Sequence, residues 1–76
     1  MVLAYILITI NPSFESEVAN EVIKYQQVMN THLLFGEYDL IVKVKATSEP
    51  ALKTFVFNKI RKIPNVLSTR TLIVAD

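Results

Sequence analysis

The chain has 76 residues, of which 51% are hydrophobic, and it carries eight basic and seven acidic residues for a formal net charge of +1. This balance excludes an extended nucleic-acid-binding patch, and the longest apolar run, from Val2 to Ile8, is too short to span a bilayer. A domain of this size has a small core, and without cysteine it has no disulfide to add stability. Because it has more apolar side chains than one small core can bury, we expect an oligomer. With neither a secretion signal nor a cysteine framework, we expect a soluble cytoplasmic protein.

The first half of the chain predicts a strand, a helix and a second strand. Residues 2–10 alternate with apolar side chains on both faces, which is typical of a strand that is covered on both sides. A helix is predicted to follow, with Asn11 or Ser13 as its N-cap and an apolar stripe at helical spacing from Phe14 to Tyr25. Residues 28–35 complete this half as the second strand.

The second half repeats the pattern after Gly36, the only glycine of the chain. Gly36 separates two β-prone runs and predicts a hairpin turn with a positive φ. The pattern then predicts a strand over residues 38–46, a helix that starts at residues 47–50, and a last strand over residues 66–75. The apolar stripe of this helix runs from Leu52 to Ile63, and Pro64 ends it. Phe57 lies off this stripe, so its side chain either contacts a partner or is a lone exposed aromatic.

Two consecutive βαβ units predict an α+β fold with one domain over residues 1–76. Right-handed crossovers place both helices on one face of a four-stranded antiparallel sheet, which is the ferredoxin-like βαββαβ arrangement. The opposite face is apolar and has no helix left to cover it. We therefore expect two copies to pack sheet against sheet as a dimeric α/β barrel.

The sequence offers little for catalysis or for a cofactor. His32 is the only histidine and there is no cysteine, which argues against a zinc site and against a nucleophilic triad. A single glycine cannot build a phosphate-binding loop, so no nucleotide cofactor is expected. Glu37 and Asp39, two residues apart, would point to the same side of a strand as an acid/base pair. They could equally be a solvated turn residue and a backbone-capping side chain.

A second polar cluster lies within the last strand. Thr69 and Thr71 are predicted on one face of this strand, and Ser68 and Arg70 on the other. Hydroxyl groups in a buried strand need hydrogen-bond partners. Both cross-strand pairing and a polar ligand pocket would supply them.

A family resemblance is carried by two segments. They are residues 35–44, which contain Gly-x-Tyr-Asp, and residues 63–71, which read Ile-Pro-Asn-Val-Leu-Ser-Thr-Arg-Thr. With residues 55–60 they make the whole chain resemble the effector-binding domain of the Lrp/AsnC transcription regulators, also called the RAM domain (regulation of amino-acid metabolism). The resemblance implies dimers joined through their sheets, assembly of dimers into closed rings, and amino-acid effectors bound between dimers. The positions that match the effector site are Gly36, Glu37, Tyr38 and Asp39, with Ser68, Thr69 and Thr71 from the last strand.

An amino acid needs acceptors for its ammonium and donors for its carboxylate. Asp39 or Glu37 would accept from the ammonium, while backbone N–H groups at the Gly36 turn and the hydroxyls of Thr69 or Thr71 would donate to the carboxylate. Binding between dimers would then bias the oligomer.

The chain departs from the full-length regulators in that Met1 leads directly into the first strand, with no helix-turn-helix domain before it. We therefore expect a stand-alone, non-enzymatic sensing and oligomerisation module without direct nucleic-acid contact, acting on transcription by co-assembly with a DNA-binding Lrp/AsnC relative. A milder departure is Gln26-Gln27, where the family commonly has a Pro-Gly-type stop. The alternatives are a dimeric α/β-barrel monooxygenase-like enzyme and a pure oligomerisation domain without ligand.

Overall fold

A computed structural model describes all 76 residues. The elements in chain order are β1 (Val2–Ile10), α1 (Glu15–Val22), β2 (Val28–Leu33), β3 (Leu40–Ala46), α2 (Glu49–Asn58), a short 3₁₀ helix (Ile60–Lys62) and β4 (Val66–Ile73). The strands form one antiparallel sheet in the order β2-β3-β1-β4. The predicted ferredoxin-like βαββαβ fold is confirmed. Neither helix has the length and apolar character that crossing a membrane requires.

The core lies between the sheet and the two helices. Alternate residues of β1, including Ile6 and Ile8, are completely buried, and they pair with Val42 and Leu40 of β3 on the same face. The helices contribute their apolar stripes to this face. The 14 buried residues are all apolar: Ala4, Ile6, Ile8, Ile10, Val18, Val22, Leu40, Val42, Val44, Leu52, Phe55, Val56, Ile60 and Ile63.

The other face of the sheet is open. Its central column is Leu3, Tyr5 and Leu7 of β1, which are only half-buried because no element of the chain covers them. Leu7 lies between Ile41 of β3 and Arg70 of β4 in the strand register. This uncovered apolar column is the surface that the sequence assigned to a second copy of the chain.

The two helices begin differently, and the predicted capping of α1 is wrong. Phe14 occupies the N-cap position of α1 and makes no side-chain capping hydrogen bond, and its own side chain is 40% exposed rather than part of the buried stripe. Ser13 has a φ of 75°. The Asn11 side chain donates instead to Oδ1 of Asn65 at 3.2 Å, and its backbone N–H donates to the carbonyl of Asn65 at 3.0 Å. Asn11 therefore joins the end of β1 to the start of β4.

The last strand is not the buried strand that the sequence suggested. β4 is an edge strand next to β1, and most of its residues are exposed. Its hydroxyl groups can therefore be solvated by water, and they do not require partners within the protein.

Candidate functional site

The connection between β2 and β3 projects from one end of the sheet. The N–H of Leu34 donates to the carbonyl of Asp39 at 2.9 Å and closes the loop. Gly36 has a φ of 135°, which confirms the predicted positive φ at this position. Phe35, beside it, is fully exposed. We call residues 34–39 the hairpin corner.

The hairpin corner has free backbone donors. None of the N–H groups of residues 35–38 donates a hydrogen bond within the chain. Four consecutive unpaired N–H groups in this mostly exposed loop are donors that an anionic group could accept from. These unpaired N–H groups lie at the Gly36 turn, where the sequence predicted donors to a ligand carboxylate.

Asp39 fixes the corner to the sheet. Its backbone N–H donates to the carbonyl of Ile8 at 2.9 Å, and its Oδ2 accepts from the N–H of Ile10 at 2.7 Å. The backbone-capping interpretation of Asp39 is therefore correct for one carboxylate oxygen. Oδ1 has no partner within the chain and remains available to a ligand.

The corner carries negative charge without an intramolecular counterion. Glu37 is exposed and Asp39 is half-buried, and the one ion pair of the chain, between Lys24 and Glu21, lies elsewhere. Tyr38 between them is half-buried. Two carboxylates with no cation within salt-bridge distance attract a positively charged group.

The strand register divides the three predicted residues of β4. Thr69 pairs with Ile8, whose carbonyl accepts from Asp39, so Thr69 lies at the same end of the sheet as the corner. Thr71 is on the same face but opposite Ile6, further from the corner. Ser68 is on the open face, where its hydroxyl is hydrogen-bonded to that of Thr9. Gly36, Glu37, Tyr38 and Asp39 thus share one end of the sheet with Thr69. Ser68 lies at this end too but on the opposite face, and Thr71 lies further along the strand.

Sequence reasoning missed a groove at the other end of the sheet. This open groove has a volume of about 450 Å³ and is lined by Met1, Gln26, Gln27, Lys45, Ala46, Thr47 and Ala51. These residues come from the N-terminus, the α1–β2 connection, the end of β3, the β3–α2 connection and the start of α2, so no local pattern joins them. The unusual Gln26-Gln27 pair was the one signal that pointed to this region. No cluster of three or more His, Asp or Glu side chains could hold a metal ion.

The chain is thus a small ferredoxin-like domain with a polar hairpin corner at one end of its sheet. Its sequence matches the model of the Lrp/AsnC ligand binding domain over residues 3–76. The chain belongs to this family. The named proteins of the family that it matches are transcriptional regulators rather than enzymes.

Individual relatives agree with this assignment. The chain is 36% identical over 72 residues to the HTH-type transcriptional regulator FL11 of Pyrococcus abyssi. This match covers 95% of the chain and 47% of FL11. The chain thus spans about half the length of the curated relatives it matches. It superposes on FFRP-DM1 with a TM-score of 0.95 at 37% identity, covering 99% of this chain and all of that one. It also superposes on the feast or famine regulatory protein Rv3291c of M. tuberculosis (TM-score 0.86, 25% identity), covering 100% of this chain and 51% of Rv3291c.

Proposed function

We propose that this chain is an amino-acid-sensing module that acts in the cytoplasm and modulates transcription by assembling with DNA-binding members of its family. The observation that carries the proposal is the hairpin corner, where four unpaired N–H groups lie beside a carboxylate with one free oxygen. Donors and acceptors within one short loop match an amino acid, whose ammonium and carboxylate groups are both attached to the α-carbon.

The chemistry of the corner assigns a role to each group. Oδ1 of Asp39 and the carboxylate of Glu37 accept from the ligand ammonium, and such charge-assisted hydrogen bonds are the stronger kind. The N–H groups of Gly36 and Tyr38, and the hydroxyl of Thr69, donate to the ligand carboxylate. The corner is open to solvent, so a second dimer is needed to enclose the ligand, and the ligand then favours the assembled state. Ser68 and Thr71 are left as secondary positions in this proposal.

The relatives support the class of ligand and the manner of action. The structure of the M. tuberculosis protein Rv3291c is a complex with L-methionine. FL11 is an HTH-type regulator, and this chain matches about half of it. FFRP-DM1, a solved chain of the family, is matched over its whole length.

The test is a thermal-shift screen against the twenty amino acids, followed by calorimetric titration of the one that stabilises most. A ligand at 100 times its Kd adds about 2.7 kcal/mol of apparent stability, which a shift in Tm readily detects. If no amino acid binds the wild-type protein, the sensing proposal is wrong and the pure oligomerisation domain is favoured.

Asp39→Asn separates binding from architecture. An asparagine oxygen can still accept from the N–H of Ile10, so the fold should survive, but the charge that attracts the ammonium is gone. We expect amino-acid affinity to fall by roughly 1.5 to 3 kcal/mol, the usual contribution of a hydrogen bond to a charged group. Glu49→Gln, at the start of α2, removes one exposed negative charge away from the corner and is the matched control. Equal affinity in the wild-type and Asp39→Asn proteins would show that Asp39 is only structural.

A further inference from the structure

The groove beside Gln26 and Gln27 continues along α2. A second compartment, with a volume of about 380 Å³, adjoins the first and shares Gln27 and Ala51 with it. It follows pairs of α2 residues that are spaced four apart and therefore lie on one side of the helix. These pairs are Pro50 and Ala51, Thr54 and Phe55, and Asn58 and Lys59. We call the two compartments together the α2 groove.

The α2 groove is built on ordered elements. The N–H of Lys45 donates to the carbonyl of Gln27 at 2.9 Å, which ties the α1–β2 connection to the end of β3. The side chain of Lys45 itself lies on the open face, where Lys45 pairs with Leu3. Phe55 is buried and meets Tyr25 edge to face, with ring centroids 5.5 Å apart. The groove therefore has a fixed wall and an apolar floor.

The rim of the α2 groove carries neutral polar side chains without partners in the chain. Gln26, Gln27 and Asn58 end in carboxamides and Thr54 in a hydroxyl, and none of these groups makes a side-chain hydrogen bond within the chain. A carboxamide both donates and accepts, so it can pair with the N–H and the C=O of a peptide. Four residues of extended peptide reach about 13 Å. They match the stripe of α2, which spans about 12 Å of helix axis.

One end of the α2 groove is basic. Lys59 lines this end, and Arg61 and Lys62 follow in the 3₁₀ helix; all three are exposed and none forms an ion pair within the chain. The sequence has no Asp or Glu from residue 50 to residue 75, and no carboxylate lines either compartment. Glu49 is the one acidic residue of α2 and lies at the opposite end of the helix. Charge complementarity therefore favours an occupant with negative charge at the Lys59 end.

We propose that the α2 groove binds an extended peptide segment of a partner protein, with the peptide backbone along the carboxamide rim and acidic residues at the Lys59 end. A small anion would use this end alone and leave the long neutral part of the groove empty. A nucleic-acid strand would need cations along the groove, and none lines it between Ala51 and Lys59. The groove shares no residue with the hairpin corner or with the apolar column of the open face, so the proposal depends on neither.

Peptide titration of the full chain, followed by backbone amide NMR, tests the proposal. The probe is an N-acetylated, C-amidated hexapeptide of four alanines followed by two glutamates, and its matched control carries two glutamines instead. We expect saturable shifts for the glutamate peptide at Gln27, Ala51, Thr54 and Asn58. Its affinity should exceed that of the glutamine peptide about two- to fivefold, the usual effect of an exposed ion pair.

Three variants separate the parts of the site. Lys59→Met should bring the affinities of the two peptides together. Lys53→Met makes the same change on α2 outside the groove and should leave the preference for glutamate intact. Ala51→Leu fills the part that the two compartments share and should abolish the saturable shifts for both peptides. Leucine is a good helix former, and circular dichroism verifies folding of every variant.

Several results would overturn the proposal. They are the absence of saturable shifts with either peptide, shifts that map to another surface, unchanged binding by Ala51→Leu, and a loss of preference in Lys53→Met as large as in Lys59→Met. Succinate that displaces the glutamate peptide would show a site for small anions instead. A thymidine oligonucleotide that binds the same residues more tightly would show a nucleic-acid surface instead.

Discussion

Asp39 has an architectural role in the structure and, in our proposal, a binding role through the same side chain. Its Oδ2 holds the N–H of Ile10 at 2.7 Å, which sets the position and orientation of the carboxylate. Its Oδ1 is left for a ligand. A carboxylate held in this way loses little further freedom when a ligand binds, and such preorganisation favours affinity.

Gly36 is the residue whose replacement should strain the backbone most clearly. A Cβ at this position would meet nothing within 4 Å, so the cost of Gly36→Val comes from the φ of 135° and not from crowding. We expect a loss of about 1 to 3 kcal/mol in the free energy of unfolding, measured by urea denaturation. Glu37→Val puts the same side chain on the neighbouring exposed position, where φ is not positive, and should cost less. An equal loss in both variants would contradict the role of φ.

At the scale of elements, the helix starts show what local sequence can and cannot predict. Residues 47–50 predicted the start of α2, where Ser48 is the N-cap. The similar signal at Asn11 failed because Asn65, 54 positions away, takes its side chain. A local pattern cannot anticipate a competing partner that only the tertiary fold supplies.

Ser48→Ala should remove the cap of α2. The Oγ of Ser48 accepts from the N–H of Ala51 at 3.2 Å, and loss of such a cap typically costs about 0.5 to 2 kcal/mol. Chemical denaturation of the variant measures this loss. Ser16→Ala, at an exposed position inside α1, is the control and should change stability little. A Ser48→Ala variant as stable as the control would show that the cap is dispensable.

The same distinction holds for strands and for the candidate site. The alternation in β1 and the positive φ of Gly36 were predictable because neighbouring residues determine them. The exposure of β4 was not, since it depends on how far the helices extend over the sheet. The separation of Ser68 from Thr69 across the two faces followed from alternation, but the greater distance of Thr71 from the corner required the register with β1.

At the scale of the whole molecule, the open face of the sheet should hold two copies together. We predict that the wild-type chain is at least a dimer at micromolar concentration, because Leu3, Tyr5 and Leu7 form an uncovered apolar column. Leu7→Arg should weaken the dimer by roughly 2 kcal/mol or more, since it removes a buried apolar side chain and places an unpaired charge in the contact. Sedimentation equilibrium measures the change.

Gln26→Arg adds the same charge in the exposed turn after α1, away from the open face, and should leave the dimer unchanged. A wild-type protein that remains a folded monomer would refute the prediction. So would a Leu7→Arg variant that dimerises as tightly as the wild type.

The hydrogen bond from Ile10 to Asp39 also governs how the sheet loosens. β1 is an interior strand, and its pairing with β4 is irregular between Thr9 and Ile10, where Asp39 closes its end. Local opening of the corner must therefore fray β1, the same strand that presents Leu7 to the open face. In our proposal, a ligand that holds Asp39 in place suppresses this fraying and so favours the dimer. By thermodynamic linkage, dimer formation should then tighten ligand binding by the same factor.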